Sequence, residues 1–465
     1  MTDRVVVIGG GLAGLTAALR LAEAGRNPVL LETRDTLGGR ATSFADVRSD
    51  LVLDNCQHVL MGCCTNLLNL YRILGVEDAI EWSNTLHWMR PDGGIDVVGE
   101  GALPAPLHQF GDVLRMRLLT FREKLRLGRT MFRILRLGRS GHERWRGRTF
   151  AAWLDHAGES ERVRRFFWSP VVVSACNLDI HEVAATHALH VFQGAFLASR
   201  TSSRMGIAAV PLAELYAPAQ ALLEQSGGSL RMRCGARSID VVDGVVMGVH
   251  TADERIACSS VVCAVPWTRA RKLVTAPDTR LAALGGLGHS PILGVHVLLD
   301  RTVMHRPHFV LPGRDVQWLF NKGDISCGPD GETGQHLHAV ISAADAWMDL
   351  DEQTISRAVI KELEQIVPAI RVADVLGIRP VKERQATFRA TPAAEALRPD
   401  AAPGPGDIAG LALAGDWCRT GWPATMEGAV ISGHRAAQAL LGLDADGAVE
   451  PLPPARLPRW LGVRR

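Results

Sequence analysis

The sequence lacks long apolar runs, a dominant charge and a cysteine pattern. No apolar run approaches the roughly 18 residues of a membrane-spanning helix, so we expect no transmembrane segment. The 51 lysines and arginines nearly balance 49 aspartates and glutamates, which gives no case for nucleic-acid binding. The nine cysteines have no repeated spacing, and Cys63 and Cys64 are adjacent, so neither a disulfide framework nor a metal site is expected. We expect reduced thiols and a cytoplasmic location.

The composition is otherwise that of an ordinary soluble globular protein, with 47% hydrophobic and 22% charged residues. A length of 465 residues exceeds what one simple core usually organises, so two connected domains are predicted. The first apolar run, Val5 to Ile8, is of strand length and has no cationic lead or cleavage site. We therefore expect no signal peptide.

The opening residues carry the pattern of a dinucleotide-binding unit. Val5 to Ile8 is a β-branched run, typical of a strand buried on both faces of a parallel sheet. In the glycine loop that follows, Gly9 permits a tight turn, Gly11 lets a pyrophosphate approach the backbone, and Gly14 lets helix and strand pack closely. The helix after the loop presents unpaired N–H groups to the phosphates.

A second strand leads to Glu32, whose carboxylate can accept hydrogen bonds from a ribose 2′-OH and disfavours the 2′-phosphate of NADP. A glycine loop alone can be a simple turn, but here strand, helix, second strand and acid all follow in order. A few residues later, Gly38 and Gly39 offer backbone N–H groups and Arg40 a cation to phosphate. The same residues also suit an ordinary loop.

This arrangement of Glu32 with Gly38, Gly39 and Arg40 resembles the GG motif of the flavin-containing amine oxidase and phytoene desaturase superfamily. The resemblance implies that the cofactor is FAD. It also implies an α/β fold in which a Rossmann-like FAD-binding domain, with a parallel sheet, helices and a small antiparallel sheet, is joined to a mixed α+β substrate domain.

A third segment near the C-terminus belongs to the same pattern. Residues 411–414 form an apolar run, typical of a buried strand, which leads to Gly415 and Asp416. A helix of small residues is predicted to begin near Thr425 and Met426. Asp416 can hold a ribityl or phosphate-linked hydroxyl, and the helix dipole can face the flavin edge where negative charge gathers on reduction. Alternatively, these residues only make a turn and permit close packing.

The superfamily resemblance divides the chain into a discontinuous FAD-binding domain and a substrate domain. It places the first at residues 1–60, 205–290 and 405–440, the second at 61–204 and 291–400, and a tail at 441–465. It also implies that the backbone near Ala236 faces the adenine. The predicted cofactor-binding residues are Gly9, Gly11, Leu12, Ala13, Gly14, Glu32, Thr33, Gly38, Gly39, Arg40, Gln57, Ala236, Gly415, Asp416, Thr425 and Met426.

Residues 53–68, together with residues 32–41, look like the squalene-associated FAD-dependent family, the hydroxysqualene dehydroxylases. Cys56 stands where a glycine is expected. The implied activity is the reduction of hydroxysqualene to squalene by reduced flavin, in a bacterial route toward hopanoids. The allylic hydroxyl leaves as water and a hydride replaces it, which requires an apolar, dry pocket and a proton source.

Asp54 and His58 are the candidates for that proton source, because they lie four residues apart on a segment expected to pass the flavin. Alternatively, Asp54 caps a turn and His58 binds backbone beside the cofactor. Tyrosine is scarce, with only Tyr71 and Tyr216 present. This scarcity weakens an amine oxidase assignment, since amine oxidases typically use an aromatic cage. A carotenoid or phytoene desaturase, an amine oxidase and a non-catalytic prenyl-binding carrier remain alternatives.

Residues 112–148 form a basic, amphipathic and helical region. Leu118, Phe121, Leu125, Phe132 and Leu135 are predicted to share one helical face, with Arg122, Arg126, Arg129, Arg133 and Arg136 nearby. The apolar face can pack on the core, or it can lie on an anionic membrane surface and admit an apolar isoprenoid. Residues 458–465 have the same basic and aromatic character. Partners expected on this basis are the inner face of the bacterial cytoplasmic membrane and upstream squalene-pathway enzymes.

Overall fold

The computed structural model describes residues 4–327, 332–452 and 456–460. Its first layer is a five-stranded sheet in which every pair of neighbours is parallel. Val5–Ile8 is the central strand and is almost entirely buried, as its β-branched sequence predicts. In spatial order the strands are Ser229–Arg231, Val29–Leu31, Val5–Ile8, Ser260–Cys263 and Leu411–Leu413.

Two long helices pack against each other beside this sheet, Leu12–Glu23 and Met426–Leu441. Both are rich in alanine and glycine on their buried sides, which lets the two backbones approach closely. The first and last parts of the sequence are thereby joined. A small antiparallel sheet, Ser238–Val242, Val245–His250 and Arg255–Ala257, accompanies the parallel one.

The second large sheet has seven strands and is mixed, with one parallel pair. Helix Glu352–Ile366 covers one of its faces through Ile355, Val359 and Leu363, which are fully buried. In spatial order the strands are Val375–Phe388, His289–Leu299, Glu332–Ser342, Trp318–Cys327, His308–Val310, Thr85–Met89 and Ile95–Gly99.

Two small sheets and several short helices connect these layers. The small sheets pair Ser43–Asp46 with Leu51–Asp54, and Met205–Ala208 with both Val59–Met61 and Ile80–Ser83. The α-helices not yet given are Thr65–Leu74, Phe110–Arg115, Phe121–Arg136, Arg139–Arg144, Phe150–Ala157, Glu161–Val163, Ser169–Cys176, Ala185–Val191, Ala219–Gln225, Trp267–Leu273, Thr279–Ala283, Ala394–Leu397 and Arg456–Trp460. Segments Arg164–Trp168 and Phe192–Leu197 are π-helical. The predicted α/β fold class, with a parallel sheet and a small antiparallel sheet, is confirmed.

The basic region is not one continuous helix. A capping box formed by Thr120 and Glu123 begins a new helix, Phe121–Arg136. Leu118 precedes this helix and is buried. Leu135 is also buried, whereas Phe121, Leu125 and Phe132 are exposed. The prediction that all five share one face is therefore wrong for Leu118. Within the described part of the chain, no helix combines the length and apolarity needed to cross a membrane. Residues 461–465, in the second predicted membrane contact, lie outside the described residues.

Candidate functional site

A cavity of about 700 Å³ lies between the carboxyl ends of the parallel strands and the mixed sheet. Every predicted cofactor-binding residue lines it except Gly14. A Cβ atom on Gly14 would lie 1.9 Å from the carbonyl oxygen of Gly9. Gly14 thus lets the helix pack on the strand, which is the role that its position in the glycine loop predicts.

The first turn of helix Leu12–Glu23 lies at the cavity wall. Gly11 is its N-cap residue in extended conformation and supplies no side-chain cap. The backbone at Leu12 and Ala13, which also line the cavity, therefore retains N–H groups for an external acceptor. A phosphate fits this position because both the N–H groups and the helix dipole favour an anion.

Glu32 lies at the end of the second parallel strand, and its carboxylate organises the glycine loop. It accepts hydrogen bonds from the Gly10 N–H at 2.6 Å, the Arg34 N–H at 2.8 Å and the Thr33 hydroxyl at 3.0 Å. A carboxylate has about four lone-pair directions. One direction therefore remains for an external donor, which the predicted contact with a ribose hydroxyl requires.

Arg40 and Asp416 bring distant parts of the sequence together. The Nη2 atom of Arg40 lies 2.5 Å from Oδ1 of Asp416, and Nη1 donates to the Ala386 carbonyl at 2.6 Å. Burial disfavours the charge, but the carboxylates of Asp416 and Glu383 outweigh it and raise the pKa of Arg40. Arg40 is thus a fixed cation in the cavity wall. It can face a phosphate in the cavity while its guanidinium stays bonded to Asp416.

The helix Met426–Leu441 gives the cavity a second helix N-terminus. The Thr425 hydroxyl caps it by accepting from the Gly428 N–H at 3.1 Å, and both Thr425 and Met426 line the cavity. The sequence argument missed Glu427, which is buried and also lines the cavity. Burial raises the pKa of Glu427 to about 7.

The carboxylate of Glu427 caps another helix, Thr65–Leu74. It accepts from the backbone N–H groups of Asn66 at 3.0 Å and Leu67 at 2.8 Å, and from the Asn66 side-chain amide at 2.7 Å. The signal for this contact was an acid directly after the predicted helix start, although its partner lies far away in sequence. Glu427 thereby joins helix Thr65–Leu74 to helix Met426–Leu441.

The two candidates for the proton source are separated in the structure. His58 lines the cavity, and its Nδ1–H donates to the Cys56 carbonyl at 3.1 Å. Burial lowers the pKa of His58, so the ring is neutral near neutral pH. Its Nε2 then carries the lone pair. Cys56 also lines the cavity, so this wall accommodates a side chain where the family resemblance implied glycine.

Asp54 is buried and does not belong to the described lining of the cavity. Its carboxylate lies 3.1 Å from Lys322 Nζ and accepts from the Ser43 hydroxyl and the Leu212 N–H. Burial opposes ionisation, but Lys322 and the two hydrogen bonds outweigh it and hold the pKa of Asp54 below its ordinary value. Asp54 is therefore an ionised anchor for the segment that carries His58.

Three buried histidines of the mixed sheet, His296, His336 and His338, form a row that begins at the backbone of Asp54. His296 Nε2–H donates to the Asp54 carbonyl, and its Nδ1 accepts from His336 Nε2–H, both at 2.9 Å. His338 stacks on His296 at 3.9 Å, and neither of its ring nitrogens has a hydrogen-bond partner among the described residues. Burial lowers the pKa of His296 to about 4 and that of His336 to about 3.

We expect this histidine row to make the protein unstable in acid. In the unfolded chain a histidine titrates near 6.5, and a depressed folded pKa means that stability is present above pH 6.5 and is lost as the pH falls toward 4. His296 and His336 can each contribute on the order of 3 kcal/mol to this loss. Urea unfolding measured between pH 7.5 and about 4 tests the expectation.

His336→Gln should make the pH dependence shallower, because a glutamine amide can still donate to His296 Nδ1 but does not titrate. His305→Gln is the matched control, since His305 is exposed. The same pH dependence in wild type and His336→Gln would show that the row does not govern acid stability.

Residues 170–196 and the strands of the mixed sheet contribute mostly apolar side chains to the cavity wall. Trp422, in the loop before helix Met426–Leu441, also lines the cavity, and its ring contacts that of His190 edge-on at 4.5 Å. Among the described lining residues the mixed sheet contributes a single carboxylate, Glu383, which the sequence argument missed. The apolar lining residues include Leu86, Trp88, Pro170, Val171, Val191, Phe196, Met205, Ile292, Val310, Trp318, Phe320 and Val340.

One cavity therefore combines an uncapped helix N-terminus, an acid at the end of the second parallel strand, a fixed arginine and a second helix N-terminus, followed by an apolar region. These features fit an extended dinucleotide whose reactive end lies beside an apolar compartment. The fold and this site define an FAD-dependent oxidoreductase.

Residues 12–441 match the flavin containing amine oxidoreductase family, and the chain belongs to this family. The cofactor prediction, FAD, is thereby confirmed. The 15-cis-phytoene desaturase of Synechococcus elongatus is 26% identical over 463 residues, covering 94% of this chain and 96% of that protein. The hydroxysqualene dehydroxylase of Sinorhizobium fredii is 28% identical over 461 residues, covering 95% and 99%.

A solved structure of putrescine oxidase bound to putrescine has a TM-score of 0.70 with this chain at 15% sequence identity. The match covers 94% of this chain and 99% of the oxidase. At this identity the similarity establishes the fold alone.

Proposed function

We propose that this protein reduces hydroxysqualene to squalene in bacterial squalene and hopanoid biosynthesis, at the inner face of the cytoplasmic membrane. The observation that carries the proposal is the apolar compartment joined directly to the cofactor end of the cavity. Such a compartment suits a long isoprenoid with a single hydroxyl better than a charged amine. The similarity to a hydroxysqualene dehydroxylase over nearly the full length of both chains supports it.

In this proposal the predicted cofactor-binding residues hold FAD, and the predicted domain boundaries separate its site from that of the substrate. When bound and reduced, FAD supplies the hydride. The apolar walls exclude water, which prevents capture of the substrate cation once its hydroxyl has left. The substrate is drawn from the membrane or received from an upstream squalene-pathway enzyme.

His58 is the proposed proton donor, and Asp54 is a positioning residue. The departing hydroxyl takes one proton and leaves as water, so His58 has to be protonated at Nε2 before each turnover. Because burial lowers the pKa of His58, the rate of the chemical step should rise as the pH falls below neutrality. Asp54, held by Lys322, fixes the backbone from which His58 extends.

A second candidate function is desaturation of a carotenoid precursor. The neutral His58 ring, with Nδ1–H bound to the Cys56 carbonyl, presents Nε2 as a proton acceptor. Desaturation needs an acceptor, because a proton and a hydride both leave the substrate. The full-length similarity to a phytoene desaturase also favours this candidate. Its rate should rise, not fall, as the pH increases.

The decisive experiment is anaerobic incubation of the photoreduced holoenzyme with hydroxysqualene, followed by mass spectrometry. We expect squalene to form and the flavin to be reoxidised in equal amounts. Absence of squalene, together with reduction of the oxidised flavin by phytoene or by an amine, would refute the proposal and support desaturase or amine oxidase activity. A purified protein that stays colourless after FAD addition would instead support the prenyl-binding carrier.

A His58→Gln variant separates proton transfer from substrate binding in the same assay. We expect it to keep its flavin spectrum and to form squalene about 10²- to 10⁴-fold more slowly. The wild-type pH dependence should be lost as well. If the rate and pH profile are unchanged, His58 is not the donor, and Glu383 is the next acid in the wall to test.

A further inference from the structure

We infer that an exposed surface built from residues 103–136 docks on an anionic lipid bilayer and places the wall of the cavity beside it. The inference deepens the proposed function, since an apolar substrate has to reach the cavity from lipid. It concerns the surface that makes the contact, the charge of the lipids and the direction from which substrate arrives.

Helix Phe121–Arg136 has three faces instead of the usual two. One face is buried through Leu127, Thr130 and Ile134. A second is apolar but exposed, with Phe121 67%, Leu125 58% and Phe132 47% accessible. These three side chains lie within about 40° of one another around the helix. A soluble helix normally keeps such an apolar face on the core, so this second face requires another explanation.

The exposed face is extended by the neighbouring helix, Phe110–Arg115. Phe110 and Leu114 are 50% and 40% accessible, and Lys124 Nζ donates to the Leu114 carbonyl at 2.6 Å. That bond joins the two helices side by side. The preceding loop adds further exposed side chains. We call this set the apolar stripe: Leu103, Leu107, Phe110, Leu114, Phe121, Leu125 and Phe132.

Arginines lie along one side of the apolar stripe. Arg122, Arg126, Arg129 and Arg136 are exposed, and no ion pair is found for them within the described ranges. By contrast, Arg115 pairs with Asp112 and Arg146 pairs with Glu143. Aromatic and leucine side chains next to unpaired arginines suit the boundary between acyl chains and anionic headgroups. This combination favours a bilayer over an enzyme partner or a second copy of the chain.

Helix Phe121–Arg136 and the residue that follows it are hydrogen-bonded to the wall of the cavity. Gln193 Nε2 donates to the carbonyl oxygens of Ile134 at 2.8 Å and Leu137 at 2.6 Å. Gln193 belongs to segment Phe192–Leu197, of which Gly194, Ala195 and Phe196 line the cavity. The helix that carries the bilayer contact is therefore bonded directly to a segment of the cavity wall, and the inference places the entry of an isoprenoid from the membrane at this wall.

Flotation of the holoenzyme with liposomes tests the docking surface without using the substrate. Vesicles of phosphatidylcholine alone are compared with vesicles that also contain phosphatidylglycerol. We expect the protein to float with the anionic vesicles and to be released by salt. Phe121→Ser/Leu125→Ser/Phe132→Ser should weaken partitioning at least 10-fold. Arg122→Gln/Arg126→Gln/Arg129→Gln should abolish the preference for anionic lipid, at about fivefold per arginine.

Val372→Ser/Leu376→Ser is the matched control, because these side chains are as exposed, at 72% and 52%, but lie outside the stripe. It should float like wild type. All variants should retain their flavin spectrum, which verifies folding. Wild-type protein remaining at the bottom with anionic vesicles, or a serine variant that floats unchanged, would overturn the inference. Conversion of a wild-type dimer to monomer by the serine changes would overturn it too, because a second copy would then cover the stripe. None of these outcomes depends on which reaction the enzyme catalyses.

Discussion

A Gly11→Ala variant will fold normally but will not retain FAD. An added Cβ would meet only the Cα of Gly39, at 3.7 Å, which is ordinary van der Waals contact. Gly11 lines the cavity beside the uncapped turn of helix Leu12–Glu23, where a pyrophosphate has to approach the backbone. The methyl group therefore excludes the cofactor and spares the fold. We expect the dissociation constant of FAD to rise about 100-fold or more, roughly 3 kcal/mol.

Titration of apoprotein with FAD, together with thermal unfolding without FAD, checks this expectation. Gly128→Ala is the matched control, since a Cβ at this helical position meets nothing within 4 Å. It should leave FAD binding unchanged and raise stability by up to about 1 kcal/mol. Gly14→Ala should lower the stability of the apoprotein itself, because its Cβ would lie 1.9 Å from the Gly9 carbonyl oxygen. Wild-type FAD affinity in Gly11→Ala would contradict the phosphate role of the loop.

Replacing Arg40 with methionine will destabilise even the apoprotein by about 3–5 kcal/mol. The Asp416 side chain is only 6% accessible and has Arg40 Nη2 2.5 Å from its Oδ1 atom. Without the guanidinium, a buried carboxylate loses its cation and the Ala386 carbonyl loses a donor. Urea unfolding of the apoprotein at pH 7 measures the loss separately from any effect on FAD binding.

The Arg48–Glu352 pair provides an exposed control, in which Arg379 Nη1 also lies 3.7 Å from Glu352 Oε1. Its N–O distance is also 2.5 Å, but its side chains are 58% and 41% accessible. Arg48→Met should therefore cost only about 0–1 kcal/mol. Equal losses in the two variants would mean that burial does not set the strength of the Arg40 pair. Arg40→Met/Asp416→Leu should recover part of the stability, since no unpaired charge remains.

The glycine loop could be interpreted from sequence because its chemistry is local. Strand, turn, helix and Glu32 all fall within one short stretch, so spacing alone places a phosphate and a ribose. Arg40 and Asp416 were found for a related reason: each follows a recognisable strand or glycine pair. Their mutual contact was not predicted, because it joins positions 376 residues apart.

The surroundings of Asp54 show what sequence reasoning could not reach. Its neighbours along the chain suggested a residue beside the flavin, but Lys322 and the Leu212 N–H hold its carboxylate inside the protein. Lys322 lies in the mixed sheet and Leu212 begins a short 3₁₀ segment, so both partners are placed only by tertiary packing. Glu427 was missed for the same reason, since its role depends on the backbone of Asn66. Long-range polar contacts carry no periodic pattern.

The order of strands in the parallel sheet dictates when the cofactor can be captured during protein synthesis. The central strand, Val5–Ile8, is synthesised before the other four strands of its sheet. The sheet is completed only by Leu411–Leu413, and helix Leu12–Glu23 is covered only by Met426–Leu441. Asp416 and Thr425 emerge equally late. A nascent chain therefore exposes its apolar compartment for most of translation without flavin to organise it. Binding of FAD therefore waits for residues 415–425, and until they are synthesised the apolar lining residues are open to aggregation and to chaperones.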